Sequence, residues 1–350
     1  MSHETSRAGR CLMVGFEGSR LDRPTREALI RLAPGGIVLF RRNLDSPEHL
    51  AELIADLRKI LPYPTLCALD QEGGRVSRLE PWIGATPTAA RLGDAGEAAV
   101  HRFARATGAA LSALGFNVDF APVVDLCAPG IDNAIGDRSF GTDPTAVTRL
   151  AGAFLDGLTE GGVPGCLKHF PGLGRAMFDS HVRRPTIERS LPEMEAEDLL
   201  PFRSLAPRAE MVMVGHAHYS AVDPAGDIPA SLSRNVIQGL LRGRLAYGGL
   251  VLSDDLEMGA LDGFADQGRD AVRALEAGCD LLLYCRDLER AARSRDALLR
   301  RAEADPAFAG RLDVAAGAVA RLASRIRTRA PDMALWEEAR RAIAAASALA

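Results

Sequence analysis

Residues 248–256 read Gly248-Gly249-Leu250-Val251-Leu252-Ser253-Asp254-Asp255-Leu256. Three apolar side chains follow one another without polar alternation, as in a strand covered on both faces within a parallel sheet. The run ends in two carboxylates, and a stretch of helical period, Gln267–Ala277, comes next. The same succession recurs along the chain. Seven more such runs are Cys11–Gly18, Gly35–Phe40, Thr65–Asp70, Phe116–Asp125, Val163–Phe170, Met211–Tyr219 and Cys279–Cys285. Between them lie helical stretches at Pro24–Leu32, Pro47–Leu61, Ala95–Leu114, Pro144–Gly157, Pro192–Leu205 and Asn235–Leu245. Ser46-Pro47 and Asp143-Pro144 each place a capping side chain before a first-turn proline. Strand then helix, eight times over, predicts an α/β protein with a parallel sheet closed into a TIM (β/α)8 barrel.

Composition fits one globular unit. The chain has 350 residues, 47% hydrophobic and 25% charged, with no linker or composition shift to divide it. A single domain over residues 1–350 is expected, with the strand-helix core at about 11–303 and extra C-terminal helices at about 304–350. Those helices are expected to pack on the outside. No run approaches the roughly 18 uncharged apolar residues of a membrane span. The segment Met1–Arg10 is charged and no cleavage site follows Cys11–Phe16, so no signal peptide is read and a cytoplasmic location is expected. A net charge of -4 carries no footprint for nucleic acid. The six cysteines are scattered through apolar runs without a CxxC, as expected of reduced thiols.

Barrel enzymes place their chemistry at the C-terminal ends of the strands. Here five of the eight runs end in polar groups: Asp70-Gln71-Glu72-Gly73-Gly74-Arg75, Asp125, Lys168-His169, His216-Ala217-His218 and Ser253-Asp254-Asp255. Their convergence predicts a polar site. After Lys168-His169, the residues Pro171, Gly172 and Gly174 open a loop carrying Asp179-Ser180-His181. A carboxylate beside an imidazole fixes its tautomer and raises its proton affinity, which suits a proton donor near neutral pH.

These motifs together resemble glycoside hydrolase family 3, and within it the single-domain bacterial β-N-acetylhexosaminidases of peptidoglycan recycling. Further marks of the likeness are Phe40-Arg-Arg-Asn43, Asp70-Gln-Glu-Gly-Gly-Arg-Val-Ser-Arg78, Ala121-Pro-Val-Val-Asp125, Asp137-Arg-Ser-Phe-Gly141, Lys168-His-Phe-Pro-Gly172 and Gly215-His-Ala-His218. The resemblance implies a retaining exo-β-N-acetylglucosaminidase (EC 3.2.1.52) that acts through a covalent glycosyl-aspartate. It implies Asp254 as nucleophile, His181 as proton donor and acceptor, and Asp179 as the residue orienting His181. It implies Asp70, Arg78, Arg138, Lys168 and His169 as the sugar-binding set. The substrate implied is a muropeptide with terminal GlcNAc on 1,6-anhydro-N-acetylmuramic acid. No metal or other cofactor is needed, and no nucleic acid or membrane partner; the absence of a second domain suggests a monomer.

The residue types agree with these roles. A carboxylate at a strand end is rigidly held for attack on an anomeric carbon. Asp70 can accept from a sugar diol while Arg78 and Lys168 keep it ionised. The residues alone leave alternatives open. Asp255 competes with Asp254, because successive strand residues face opposite sides. Lys168 could pair with Asp125. Trp82 is either a sugar platform or a loop anchor, and Met177 and Phe178 are expected to pack the loop. One departure stands out: Leu173 occupies the place of a second family histidine. An exo-β-glucosidase of the same family is the neighbouring alternative. A metal-dependent barrel hydrolase built on His216 and His218 is the alternative of a different class, because His-x-His on a strand turns both rings one way. A binding barrel without catalysis is disfavoured by the presence of both nucleophile and dyad.

Overall fold

The computed structural model describes residues 3–127, 134–176, 183–264 and 268–350. Eight parallel strands follow the eight apolar runs: β1 (Leu12–Val14), β2 (Gly36–Val38), β3 (Leu66–Leu69), β4 (Val118–Asp119), β5 (Cys166–Phe170), β6 (Met211–Val214), β7 (Leu250–Asp255) and β8 (Leu281–Tyr284). They lie side by side in the order β4-β3-β2-β1-β8-β7-β6-β5. Isolated parallel bridges Asp119–Gly165 and Val123–Lys168 join the two remaining edges. The Cys166 N–H donates to the Ala121 carbonyl at 2.8 Å across that seam. The sheet is therefore a (β/α)8 barrel.

Helices α1 (Arg23–Leu32), α2 (Pro47–Ile60), α3 (Glu97–Leu114) and α4 (Pro144–Glu160) surround one side. Continuing round are α5 (Leu199–Leu205), α6 (Asn235–Arg244), α7 (Arg269–Ala277) and α8 (Leu288–Ala304). Ser46 and Asp143 cap α2 and α4 through the His49 and Ala146 amides, with proline in the first turn. Two boundaries differ from the sequence reading. Gly96, at φ +92°, separates α3 from a short helix at Ala89–Ala95. The stretch 192–205 is broken at Glu197, where φ is -120° and ψ -82°. α6 keeps the expected bounds but is a π-helix, whose Leu245 cap amide reaches back five residues to Leu240.

The tail departs further from expectation. α9 (Pro306–Arg325) does not simply lie on the barrel's outside. Its Val319, Leu322 and Ala323 join the barrel's interior cluster with Met13, Val38, Leu66, Val118, Cys166, Met211, Leu250 and Leu281. The helix floors the barrel at the strands' N-terminal end; a Cβ at Gly35, just before β2, would come within 2.8 Å of Val319. That leaves the opposite mouth for ligands. Leu322 is 4% exposed, so Leu322→Ala is expected to lower unfolding free energy by about 2–5 kcal/mol. A denaturant midpoint unchanged from wild type would show that the floor is dispensable. α10 (Met333–Ser347) packs against α3 and brings Trp336 edge-on to Trp82, with ring centroids 5.9 Å apart. Trp82 is thus a loop anchor. No helix among the described residues is long and apolar enough to cross a membrane. All six cysteines are free thiols, four of them buried.

Candidate active site

Asp70 follows β3 directly, and the chain then doubles back as an antiparallel pair, Gln71–Gly73 with Val76–Ser77. The buried Gln71 amide stitches this hairpin, donating to Ser77 Oγ at 2.9 Å and accepting from the Leu79 N–H at 3.1 Å. Arg78 is thereby set beside Asp70, at 3.4 Å from Oδ2. Its guanidinium also lies over the Phe40 ring, 5.7 Å from the centroid.

Lys168, inside β5, is 2% exposed. Its ammonium donates to Asp70 Oδ1 at 2.8 Å and meets Glu72 Oε1 at 2.6 Å. Two of its three N–H groups are thus engaged, leaving one. Arg138, in the turn Gly136–Arg138 before α4, closes the cluster from the other side. Its Nε and Nη2 both donate to Glu72 at 2.8 Å, and Nη1 donates to the Ala134 carbonyl at 3.1 Å. Burial alone would raise the Asp70 carboxyl, but Lys168 and Arg78 outweigh it and hold the group well below the usual carboxylate range. Glu72 is likewise brought down to about 2 by Lys168 and Arg138 against the opposing effect of burial. Burial opposes the charge of Lys168 too, yet Asp70 and Glu72 raise its proton affinity.

His169 belongs to a separate pair. Asp125, after β4, accepts from His169 Nδ1 at 2.7 Å and from the Leu173 amide at 2.6 Å. Nδ1 therefore carries a proton toward Asp125, and Nε2 lies outside that pair. Lys168 does not pair with Asp125. Leu173 contributes a backbone contact at the loop's base, where the family histidine would offer a side chain, and its own side chain is buried in the apolar core. Gly174 permits that approach, since a Cβ there would sit 1.6 Å from the Leu126 carbonyl oxygen. Asp125→Asn removes the acceptor that fixes the His169 ring; kcat/KM is expected to fall about 10–10²-fold, the range seen when an orienting partner is lost. Unaltered kinetics in that variant would detach His169 from the site.

At the end of β7, Asp254 Oδ1 accepts from the Asp255 amide at 2.8 Å. Asp255 faces a different set: its Oδ1 accepts from the Glu257 amide at 3.0 Å and the Cys285 amide at 3.2 Å. Burial, with Glu257 adding to it, pushes the Asp255 carboxyl up to about 6. Burial also pushes the Cys285 thiol up, and the carboxylates of Asp255, Asp70 and Asp254 act in the same direction. Asp70 and Asp254 stand at the C-terminal ends of β3 and β7, on the same mouth of the barrel. Asp179, His181, Met177 and Phe178 lie outside the described residues.

His216 donates Nε2–H to the Asp255 carbonyl at 2.9 Å and accepts from Ser231 Oγ at Nδ1, 2.7 Å away. Both ring nitrogens are taken, and His218 Nδ1 bonds the Ile228 carbonyl at 3.2 Å. Among the described residues no three His, Cys, Asp or Glu side chains are grouped to hold a metal ion. A cavity of about 800 Å³ opens elsewhere, beside Phe264 and Phe308 on the barrel's flank, and its Arg301 is already paired with Glu276 and Asp305.

Sequence reasoning missed Glu72. It sits within the quoted motif, and a signal was there: a lysine buried at a strand end needs more counter-charge than one carboxylate that must also serve a ligand. It also missed Asp119 in β4, whose Oδ1 accepts from the Gln71 amide at 2.9 Å and which burial pushes well above the carboxylate range.

A parallel barrel with carboxylates and cations gathered at its C-terminal mouth has the layout of a barrel enzyme. The model of the glycosyl hydrolase family 3 N-terminal domain matches residues 6–322. The chain is 37% identical over 301 residues to a beta-hexosaminidase of Idiomarina loihiensis, covering 85% of this chain and 90% of that protein. A family 3 beta-N-acetylglucosaminidase from Paenibacillus sp. superposes with a TM-score of 0.89 at 35% identity, over 100% of this chain and 69% of that one. NagZ from Neisseria gonorrhoeae, solved in complex with a zinc ion, gives 0.76 at 32% identity, over 96% and 97%. The chain belongs to glycosyl hydrolase family 3 and is a glycoside hydrolase.

Proposed function

We propose that the protein is an exo-β-N-acetylglucosaminidase that removes terminal, non-reducing β-linked GlcNAc from peptidoglycan fragments ending in 1,6-anhydro-N-acetylmuramic acid, acting as a cytoplasmic monomer. One observation carries the reading: a cluster of Asp70, Lys168, Glu72 and Arg138, tied together by ion pairs of 2.6–2.8 Å, stands at the mouth of a family 3 barrel whose β7 ends in Asp254. The β-hexosaminidase and β-N-acetylglucosaminidase activities named for its relatives support the substrate class.

In this mechanism Asp70 accepts from the sugar's hydroxyls with the lone pairs that Lys168 and Arg78 leave open. Arg138 retains two N–H groups and Lys168 one, while His169 offers Nε2. Asp254 attacks the anomeric carbon, the glycosidic C–O bond breaks, and the departing oxygen takes a proton from His181. In the second half His181 takes a proton from water, the resulting oxygen attacks the same carbon, and Asp254 leaves as the free carboxylate. Asp179 orients His181 throughout. The metal reading is less well supported, because a metal at His216 would have to break the bond to Ser231 or to the Asp255 carbonyl.

Chromogenic β-GlcNAc and β-glucose glycosides, each with and without a chelator, test the proposal. Hydrolysis of the GlcNAc glycoside insensitive to chelator is expected. Preference for the glucoside would transfer the reading to an exo-β-glucosidase, and loss of turnover with chelator would revive the metal site.

A further inference from the structure

Only two of the chain's 42 cationic side chains are lysine, Lys59 and Lys168. Lys59 lies on the surface with its side chain 74% exposed, while Lys168 is buried at the centre of the cluster. Glu72 is the group closest to that buried ammonium, at 2.6 Å, and it grips Arg138 with both oxygens. Its side chain is 5% exposed against 15% for Asp70. The two carboxylates on Lys168 therefore differ in what else they can reach. Asp70 presents an open edge to the mouth, and Glu72 is enclosed by its cations.

We propose that Glu72 is a positioning residue of the sugar pocket, the counter-ion shared by Lys168 and Arg138 that holds both cations in place and leaves the edge of Asp70 to the ligand. The inference rests on the reading of Asp70, Lys168 and Arg138 as sugar-binding residues. Glu72 touches no substrate; it acts through its two partners.

Among the described residues, the titratable groups that act on Lys168 or on its partner Asp70 come from three strands and a turn. Asp70, Glu72 and Arg78 belong to the segment after β3, Arg138 to the turn before α4, Asp119 to β4 and Cys166 to β5. Burial disfavours the ionised forms of the Asp119 carboxyl and the Cys166 thiol. Among the described residues, the ion-paired members are Lys168, Arg138 and Arg78 against Asp70 and Glu72. Neutralising Glu72 leaves three cations facing one carboxylate. Arg138 repels Lys168, and lysine, unlike arginine, relieves such repulsion by losing its proton. The sign is fixed: without Glu72 the folded protein holds the Lys168 proton less tightly, so pocket function should fail progressively as pH rises.

The two-lysine composition makes this directly readable. With lysine labelled by ¹³C at the ε carbon, the spectrum contains two lysine signals, and Lys59→Arg assigns them by subtraction. In wild type the Lys168 signal is expected to stay at its protonated position to the highest pH at which the protein remains folded. In Glu72→Gln it is expected to titrate inside that range. At pH 7 kcat/KM should fall about 10²-fold, with a second basic limb that follows the Lys168 titration and adds to the one wild type shows, as expected when one partner of a buried charge pair is truncated. A folded Glu72→Gln protein with an unmoved Lys168 signal and wild-type kcat/KM overturns the proposal. Should that variant not fold, Glu72→Asp decides. Its carboxylate, withdrawn by one methylene, should still bring Lys168 titration into range, and a wild-type signal with wild-type kcat/KM overturns the proposal there. The lysine titration needs no substrate, so a wild type that prefers glucosides removes the substrate reading and leaves this measurement intact.

Discussion

Asp254→Ala is expected to abolish turnover of aryl and natural substrates alike, by at least about 10⁴-fold in kcat, because in the proposed mechanism Asp254 forms a covalent bond in every cycle. Leaving-group quality cannot compensate for the loss of the attacking atom. Asp255→Ala is the necessary comparison. The Asp255 carboxylate already accepts two backbone N–H groups, from Glu257 and Cys285, and burial pushes it up to about 6, so it is a poor anion to spend on attack. Its removal should cost stability, about 1–3 kcal/mol for amides left unpaired, and reduce activity only indirectly. Stopped assays with an aryl glycoside, run beside thermal denaturation of both variants, separate the two. An Asp254→Ala enzyme that keeps most of its activity while a folded Asp255→Ala enzyme is dead would reverse the assignment.

The barrel was legible because its strands are continuous apolar runs interrupted by helices, and all eight runs hold strands. The cluster of polar run ends was legible for the same reason: Asp70, Asp125, Lys168, His169 and Asp254 fall where a barrel displays side chains. What could not be read was pairing. Lys168 had Asp70 and Asp125 as candidate partners, and only the three-dimensional register, with Val123 bridged to Lys168 across the seam, decides that Asp125 goes to His169. The role of α9 was hidden for another reason. Val319, Leu322 and Ala323 repeat at helical spacing, which marks an apolar face without saying whether it meets the barrel's wall or its floor. The break at Glu197 was also out of reach: its side chain is held by Arg175 at 2.6 Å and Arg189 at 2.8 Å, partners from either side of the loop that follows β5.

His181→Ala should discriminate between substrates as sharply as Asp254→Ala fails to. An alkyl leaving group departs as a strongly basic oxygen and needs a proton in the transition state; a nitrophenolate departs almost unaided. General-acid assistance is worth about 10²–10⁴-fold, which sets the expected gap between the two substrate types in this variant. With the activated substrate the first half-reaction should stay fast while water, lacking its base, attacks slowly. The glycosyl-enzyme should then accumulate as an initial burst. Azide, a nucleophile that brings no proton to remove, should restore turnover and yield the glycosyl azide with retained configuration. The pH profile supplies an independent check. Lys168 and Arg78 hold Asp70 ionised far below neutrality, and Lys168 and Arg138 do the same for Glu72. Neither can therefore produce a basic limb. Wild-type kcat/KM should fall on the basic side as His181 loses its proton, and that limb should vanish in the variant. A basic limb that persists unchanged in an active His181→Ala enzyme, together with equal losses on both substrate types, would place the proton donor elsewhere.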